Sequence, residues 1–222
     1  MDWTALAVSL WLGGGTVAIL LPFGIWFGRF LALRDFRGKL IVEALVTAPL
    51  VLPPTVLGFY LLVTFGTRSP VGQAFQSIFG QPLPFTFTGL LVASAIANIP
   101  FVVQPIQRGF ETIPATLRDA AACCGLTPWR RFLRIELPLA WPSVLTAAVL
   151  TFAHTLGEFG VVLMVGGNLP GETRTLSVAI YDRMQAFDDR SAGTMATVLL
   201  LIALATLMVT TLLSRRVHVG QR

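Results

Sequence analysis

The sequence predicts an all-α, polytopic membrane protein of about five transmembrane helices, and three observations carry that prediction. Five apolar stretches are each long enough to cross a bilayer. Charged residues make up only 12% of the chain, about half of the roughly 25% usual in soluble domains. Positive charges fall mainly on alternate connecting segments. The hydrophobic residues, 55% of the 222, are gathered in blocks, which excludes a soluble domain with an unusually apolar core.

A helix needs about 20 predominantly apolar residues to cross the hydrocarbon layer. The qualifying stretches are 6–27, 40–65, 88–106, 143–165 and 192–213. The first carries Asp2 before it and Arg29, Arg34, Arg37 and Lys39 after it. A signal peptide has the reverse charge order, so this is a permanent helix with its N-terminus outside. Alternating from there, the inner segments hold twelve of the 16 Lys and Arg residues, ending with Arg215, Arg216 and Arg222. The outer segments hold Arg68, Arg174, Arg183 and Arg190. This bias predicts a cytoplasmic C-terminus. It also explains the net charge of +5 without nucleic acid, for which no RNA-binding aromatic motif or zinc pattern is present. Cys123 and Cys124 are adjacent, which is not a disulfide framework. On an inner segment they read as reduced, small packing residues.

The second span contains Pro49, Pro53 and Pro54, and the third contains Pro100 and Pro105 near Asn98 and Gln104. Proline removes a helical hydrogen bond and kinks the helix. In a membrane the freed carbonyls must find partners or line a cavity, so these spans suit a solute pathway better than an anchor. The outer loop 66–87 has Val71, Phe75, Ile78 and Phe79 at the spacing of a short amphipathic helix lying on the surface. The second outer loop opens with turn residues from Gly166 to Gly171, and 176–186 reads as another short helix.

The inner segment between spans three and four, 107–142, is rich in boundary signals. Thr112 is expected to cap a helix starting near Pro114. Gly125 stands where a helix ends in a left-handed residue. Thr127 and Pro128 start a second helix, which Leu137 and Pro138 are expected to close. The expected product is two short helices with a sharp elbow.

Asp119-Ala120-Ala121, then Gly125, then Ile135-Glu136-Leu137-Pro138 resembles the cytoplasmic signature of ABC importer permeases, with Asp119 in place of the usual Glu. The resemblance implies a type I importer-like permease, with 1–222 as one transmembrane domain and 111–140 as its coupling segment. Arg118, Asp119, Ala120, Ala121, Gly125, Ile135, Leu137 and Pro138 would then engage a separate ATP-binding subunit. No Gly-x-x-x-x-Gly-Lys-Ser/Thr motif occurs in the chain, so ATP is expected on another chain. Gly13 to Gly15 reads as a close-packing site within the first span.

The resemblance narrows to the oxyanion permeases at Leu21 to Ile25, at Pro49 to Pro54 and at Leu156-Gly157-Glu158-Phe159-Gly160. The stretch Asn168 to Thr175 and the compact five-span layout are most similar to the molybdate branch. Tungstate is nearly the same size and charge. The resemblance implies two permease copies, two ATP-binding subunits and a periplasmic oxyanion-binding protein, in a bacterial inner membrane. Asn168, Pro170 and Gly171 would meet that binding protein.

An ionisable residue inside a span is a functional candidate by default. Glu158 would repel an anion, so it is assigned to a gate rather than a ligand role. His154, four residues earlier, is placed to hydrogen-bond it. Thr47, Thr55, Ser94, Asn98, Gln104, Thr151 and Thr155, with Pro53 and Pro54 at the kink, are the candidates for lining the path. Neutral donors bind weakly enough to release the ion. Glu43 is expected to snorkel to the inner interface. No metal site and no cofactor are expected. The competing readings are a sulfate or thiosulfate permease, an ATP-independent channel, and an intramembrane enzyme for which His154 and Glu158 would be the only candidates.

Overall fold

A computed structural model describes residues 1–219, with side chains through 209. Arg222 and the side chains of Arg215 and Arg216, assigned above to the inner face, lie outside the described residues. All regular structure in the described residues is helical: α1 (Trp3–Leu33), α2 (Lys39–Val51), α3 (Pro54–Phe65), α4 (Pro70–Phe79), α5 (Phe87–Glu111), α6 (Ala115–Cys123), α7 (Pro128–Arg131), α8 (Leu137–Gly157), α9 (Gly160–Gly166), α10 (Leu176–Gln185) and α11 (Asp189–Val219). A π-helical turn, Phe132–Glu136, joins α7 to α8.

Four described helical stretches are long and apolar enough to cross a membrane, and the bent pair α2–α3 makes a fifth candidate. α1 starts where the Asp2 carboxylate accepts from the Ala5 N–H at 2.9 Å, satisfying one of the donors a helix start leaves free. The centre of the bundle is α1, α5 and α8, where Leu20, Val102, Ile106, Phe110, Ala140 and Val144 are buried together. In lipid this packing holds by close contact rather than by hydrophobic exclusion. A second cluster joins α3, α5 and α9 through Leu57, Leu61, Ala97, Val161 and Val165. A third, with Ala5, Leu176, Ala179 and Met195, packs α10 against the N-terminal ends of α1 and α11.

The two short helices expected in loops 66–87 and 166–191 form as α4 and α10. Four expectations need correction. The second span is not one kinked helix: α2 and α3 meet at an angle of 109°. Leu52 and Pro53 are both extended there, with ψ of 136° and 135°, because a residue preceding proline is pushed out of the helical region and two prolines follow in succession. The fourth span begins earlier and ends earlier than 143–165. Its helical run is Pro128–Gly157, and 160–166 is a separate helix beyond an extended Glu158.

Leu137 and Pro138 do not close a helix. The Leu137 N–H reaches back to the Phe132 carbonyl, and this wider π turn brings the chain past Pro138, which has no N–H to place. Thr112 does not start α6 either. α5 runs on to Glu111, so Thr112 caps its end, donating its N–H to the Arg108 carbonyl and its hydroxyl to the Gly109 carbonyl at 2.8 Å. Pro114 takes the cap position of α6.

Candidate functional site

The elbow forms at the expected glycine. Gly125 has φ of +76°, a region that side chains with a Cβ rarely enter. It lets the Leu126 N–H reach the Ala121 carbonyl at 3.1 Å and the Gly125 N–H reach the Ala122 carbonyl at 2.9 Å, so the end of α6 is satisfied as in a Schellman turn. The Thr127 hydroxyl then accepts from the Arg130 N–H and starts α7. Asp119, Ala120 and Ala122 are exposed while Ala121 is buried. α6 therefore presents a small-residue face with an acidic edge, beside the half-buried Arg118. Ile135 is half-buried, Leu137 packs against the central cluster and Pro138 is exposed.

Sequence reasoning passed over the residue that anchors this segment. Glu136 is fully buried. Its two carboxylate oxygens accept from Arg29 Nε at 2.6 Å and from Arg131 Nε at 3.1 Å, and Arg29 also lies over the Phe132 ring at 5.2 Å. The available signal was a single acid amid the apolar residues of the Ile135–Pro138 motif, with an arginine at the C-terminal end of the first span.

Deeper in the bundle the two helix breaks meet. A Cβ on Gly160 would lie 2.8 Å from Pro54 Cβ and 3.1 Å from Thr55 N, so only a residue without a side chain fits between the start of α9 and the start of α3. An open cleft of about 480 Å³ lies here, lined by Pro54, Thr55, His154, Gly157, Glu158 and Gly160. Pro53 is exposed beside it. The carbonyl of Glu158, released by the break, accepts from the Ser177 hydroxyl at 2.8 Å, and the carbonyl at the end of α9 on Val165 accepts from the Phe85 N–H at 2.8 Å.

Glu158 is 7% exposed, and its Oε2 is buried without a hydrogen-bond partner among the described residues. The expected His154–Glu158 hydrogen bond is not made, because Glu158 has left the helix and the i, i+4 geometry with it. His154 Nδ1 instead pairs with Asn98 Oδ1 at 3.0 Å. The Asn98 amide nitrogen donates to the Ser94 carbonyl at 2.8 Å, so its oxygen is the acceptor and His154 carries its proton on Nδ1. Phe101 stacks on the imidazole at 4.0 Å, and the Thr16 hydroxyl donates to Ser94 Oγ at 3.2 Å.

Thr151 and Thr155 are buried on the same helix, and neither hydroxyl has a partner among the described residues. Thr146, Thr194 and Thr197, by contrast, each bond the carbonyl four residues earlier. The remaining pathway candidates lie in a different place. Gln104 Nε2 donates to Thr47 Oγ1 at 3.1 Å in a polar cleft of about 570 Å³ between α2 and α5. Glu43 is not merely at an interface: it lines that cleft and accepts from Gln107 Nε2 at 2.8 Å.

In the turn after α9, Gly167, Asn168 and Gly171 all have positive φ. Asn168 Nδ2 donates to Asp182 at 2.9 Å, and Arg174 Nε donates to Asn168 Oδ1 at 2.7 Å. The turn is thereby fixed, with Leu169, Pro170 and Gly171 exposed at its tip. Asp182 was not singled out by the sequence. Nothing in the turn pattern points to a partner fourteen residues on.

Residues 21–219 match the family described as "Binding-protein-dependent transport system inner membrane component". The chain is 47% identical over 195 residues to the molybdenum transport system permease protein ModB of Azotobacter vinelandii, covering 88% of this chain and 86% of that protein. It is 37% identical over 213 residues to the ModB protein of Escherichia coli strain K12, covering 96% and 92%. Its fold is similar to that of a chain in the crystal structure of a bacterial alginate ABC transporter in complex with an alginate-bound periplasmic protein. The TM-score is 0.76 at 19% identity, covering 96% of this chain and 78% of that one.

Proposed function

This chain belongs to the family of binding-protein-dependent transport system inner membrane components, and from that premise we propose that it forms the path by which an ATP-driven importer carries molybdate into the cell. Family membership makes it a multi-pass inner-membrane subunit without catalytic activity of its own, working with ATPase subunits and a periplasmic binding protein. The substrate is the inference. The observation that carries it is the 47% identity to a molybdenum permease over most of both chains. Tungstate shares the size and charge of molybdate and is included in the reading.

Two copies of the chain form the path, and the N-terminus faces the periplasm, in keeping with the concentration of arginine on the elbow side. Arg118, Asp119, Ala120, Ala121 and Gly125 seat the elbow in an ATPase subunit. Ile135, Leu137 and Pro138 carry the displacement into α8, with Glu136 as the fixed point. The turn at Asn168, with Pro170 and Gly171 exposed at its tip, receives the binding protein. The cleft at the two helix breaks belongs to the path or its gate. Thr55 supplies a neutral polar group there and Glu158 closes it against anions, while Asn98, Thr151 and Thr155 are buried behind the cleft wall and reach the path only when the helices move. Thr47 and Gln104 line the separate cleft beside α2.

The test is uptake of labelled molybdate into proteoliposomes holding this subunit, its ATPase and its binding protein. With ATP inside, molybdate and tungstate should each block labelled entry while sulfate at equal concentration does not. Equal block by sulfate would move the assignment to the sulfate branch. Entry without ATP would overturn the importer reading in favour of a channel.

A further inference from the structure

Two clefts at the elbow-side end of α1 run into one another. The first is apolar, about 630 Å³, between Pro22, Ile25 and Trp26 on α1 and Trp129, Phe132 and Leu137 beyond the elbow. The second, about 470 Å³, is walled by Arg29, Arg34, Arg118 and Arg131, with Asp119 at its edge. Trp26, Arg29 and Pro128 line both. From Pro22 to Arg29 the helix rises about 10 Å, so an apolar trough roughly half a leaflet long ends in a ring of guanidinium groups.

The charges there do not cancel. Glu136 occupies the Nε donors of Arg29 and Arg131. With Asp119 as the only other carboxylate on the cleft, the four arginines keep a surplus of two positive charges. Among the described residues, the Arg34 and Arg118 guanidinium groups are in no ion pair. Trp26 and Trp129 stand at the mouth, 66% and 67% exposed, and tryptophan favours the headgroup level of a bilayer. A solvated basic face would need no apolar trough, and an ordinary lipid-facing helix would need no arginine ring.

We propose that this double cleft is a binding site for an anionic phospholipid of the cytoplasmic leaflet, with an acyl chain in the trough and the phosphate against Arg34 and Arg118. The assignment rests on the orientation proposed above, which puts the elbow in the cytoplasm. It follows the chemistry by which basic pockets between membrane helices hold acidic headgroups. The lipid would bridge α1 to the segment carrying the elbow, so its presence would tune how firmly that segment follows the ATPase.

The experiment is native mass spectrometry of the purified permease, with and without its ATPase, after exposure to phosphatidylglycerol or phosphatidylcholine. Phosphatidylglycerol should be retained and phosphatidylcholine lost. Arg34→Gln with Arg118→Gln should cut retention at least tenfold. Arg34→Gln alone, outside the coupling motif, should reduce it by a smaller factor while the protein still assembles with its ATPase. Equal retention of phosphatidylcholine, or undiminished retention by the double variant, would overturn the site. So would displacement of the lipid by an excess of inorganic phosphate, which would mark a free-anion site, or by the ATPase, which would make the cleft part of its socket. The orientation is read separately, by labelling Cys123 and Cys124, both exposed, with a membrane-impermeant maleimide. Labelling from the periplasmic side would overturn the orientation whatever the lipid result.

Discussion

Arg29 Nε and Glu136 Oε2 stand 2.6 Å apart across 107 residues of sequence. The pair fastens the C-terminal end of α1 to the π turn between the elbow and α8, and Arg131 holds the second carboxylate oxygen. A push on the elbow therefore reaches α1 and α8 together.

Glu136→Ala should cost stability and coupling at once. Breaking a buried ion pair costs about 3–5 kcal/mol. The lower end applies here, because the two arginine side chains left behind are 29% and 23% exposed and can hydrate. The expected result is a lower melting temperature for the solubilised complex and loss of ATP-driven uptake. Arg29→Met with Glu136→Leu should recover melting temperature, since apolar replacement of a buried pair is often neutral. Uptake should stay low, because Arg131 then has nothing to hold. Full recovery of uptake would show that the pair only supports the fold.

Gly160→Ala tests the meeting of the two breaks. Its Cβ would press on Pro54 Cβ at 2.8 Å and on the Pro54 carbonyl carbon at 3.1 Å, and neither is the end of a flexible chain. Overpacking of this kind costs about 1–3 kcal/mol. Uptake should fall at least tenfold with assembly on the ATPase preserved, because the clash lies at the cleft and not at the elbow. Unchanged uptake would place the break outside the moving parts.

The spans, the elbow and its glycine were legible because each depends on local chemistry: apolar length, a positive-φ residue, a proline. The break between α2 and α3 was half legible. Pro53 and Pro54 announced a kink, but only the packing of α3 on α9 decides that it turns through 109°. Glu158 was found by being a charge in an apolar run. Its partners were misread, because helical spacing was applied to a residue that lies past the helix end. Glu136 was passed over because Arg29 is 107 residues away, a contact no local pattern encodes, and Arg131, five residues back, comes into reach only through the π turn.

Substitutions at Gly125 should rank by how well each residue tolerates positive φ. Asn enters that region more readily than other side chains, so Gly125→Asn should keep the most uptake, Gly125→Ala less and Gly125→Val least. A left-handed residue with a Cβ costs about 1–2 kcal/mol. Nothing lies within 4 Å of a Cβ built there, so strain and not collision sets the order. Equal uptake in all three would mean the elbow reforms without its left-handed residue.

Asp188 gives a pH-dependent readout at the start of α11. Hydrogen bonding to Ser191, with Arg183 beside it, holds its carboxyl below its ordinary value of 3.8. A lowered value in the folded state means the unfolded chain takes up the proton first. The stabilisation is therefore complete above that ordinary value and is lost as pH falls through the lowered one. Asp188→Asn should melt below the parent at neutral pH, and the gap should close on acidification from about pH 4 downward. A gap that stays constant with pH would show that the carboxylate charge contributes nothing to the start of α11.

Thr151→Val and Thr155→Val separate a structural hydroxyl from one that serves transport. Both hydroxyls are buried and have no partner among the described residues, and a buried polar group without a partner costs about 1–3 kcal/mol. Valine fills nearly the same volume and removes that cost, so each variant should melt at or above the parent temperature. If the hydroxyls exist to meet the moving anion, molybdate uptake should fall several-fold in the more stable protein. ATP hydrolysis in the complex should persist, because the elbow is untouched. If instead each hydroxyl bonds the second permease copy, valine should weaken dimer assembly, and uptake and ATP hydrolysis should fall together. A variant that is both more stable and fully active would remove the two residues from the pathway.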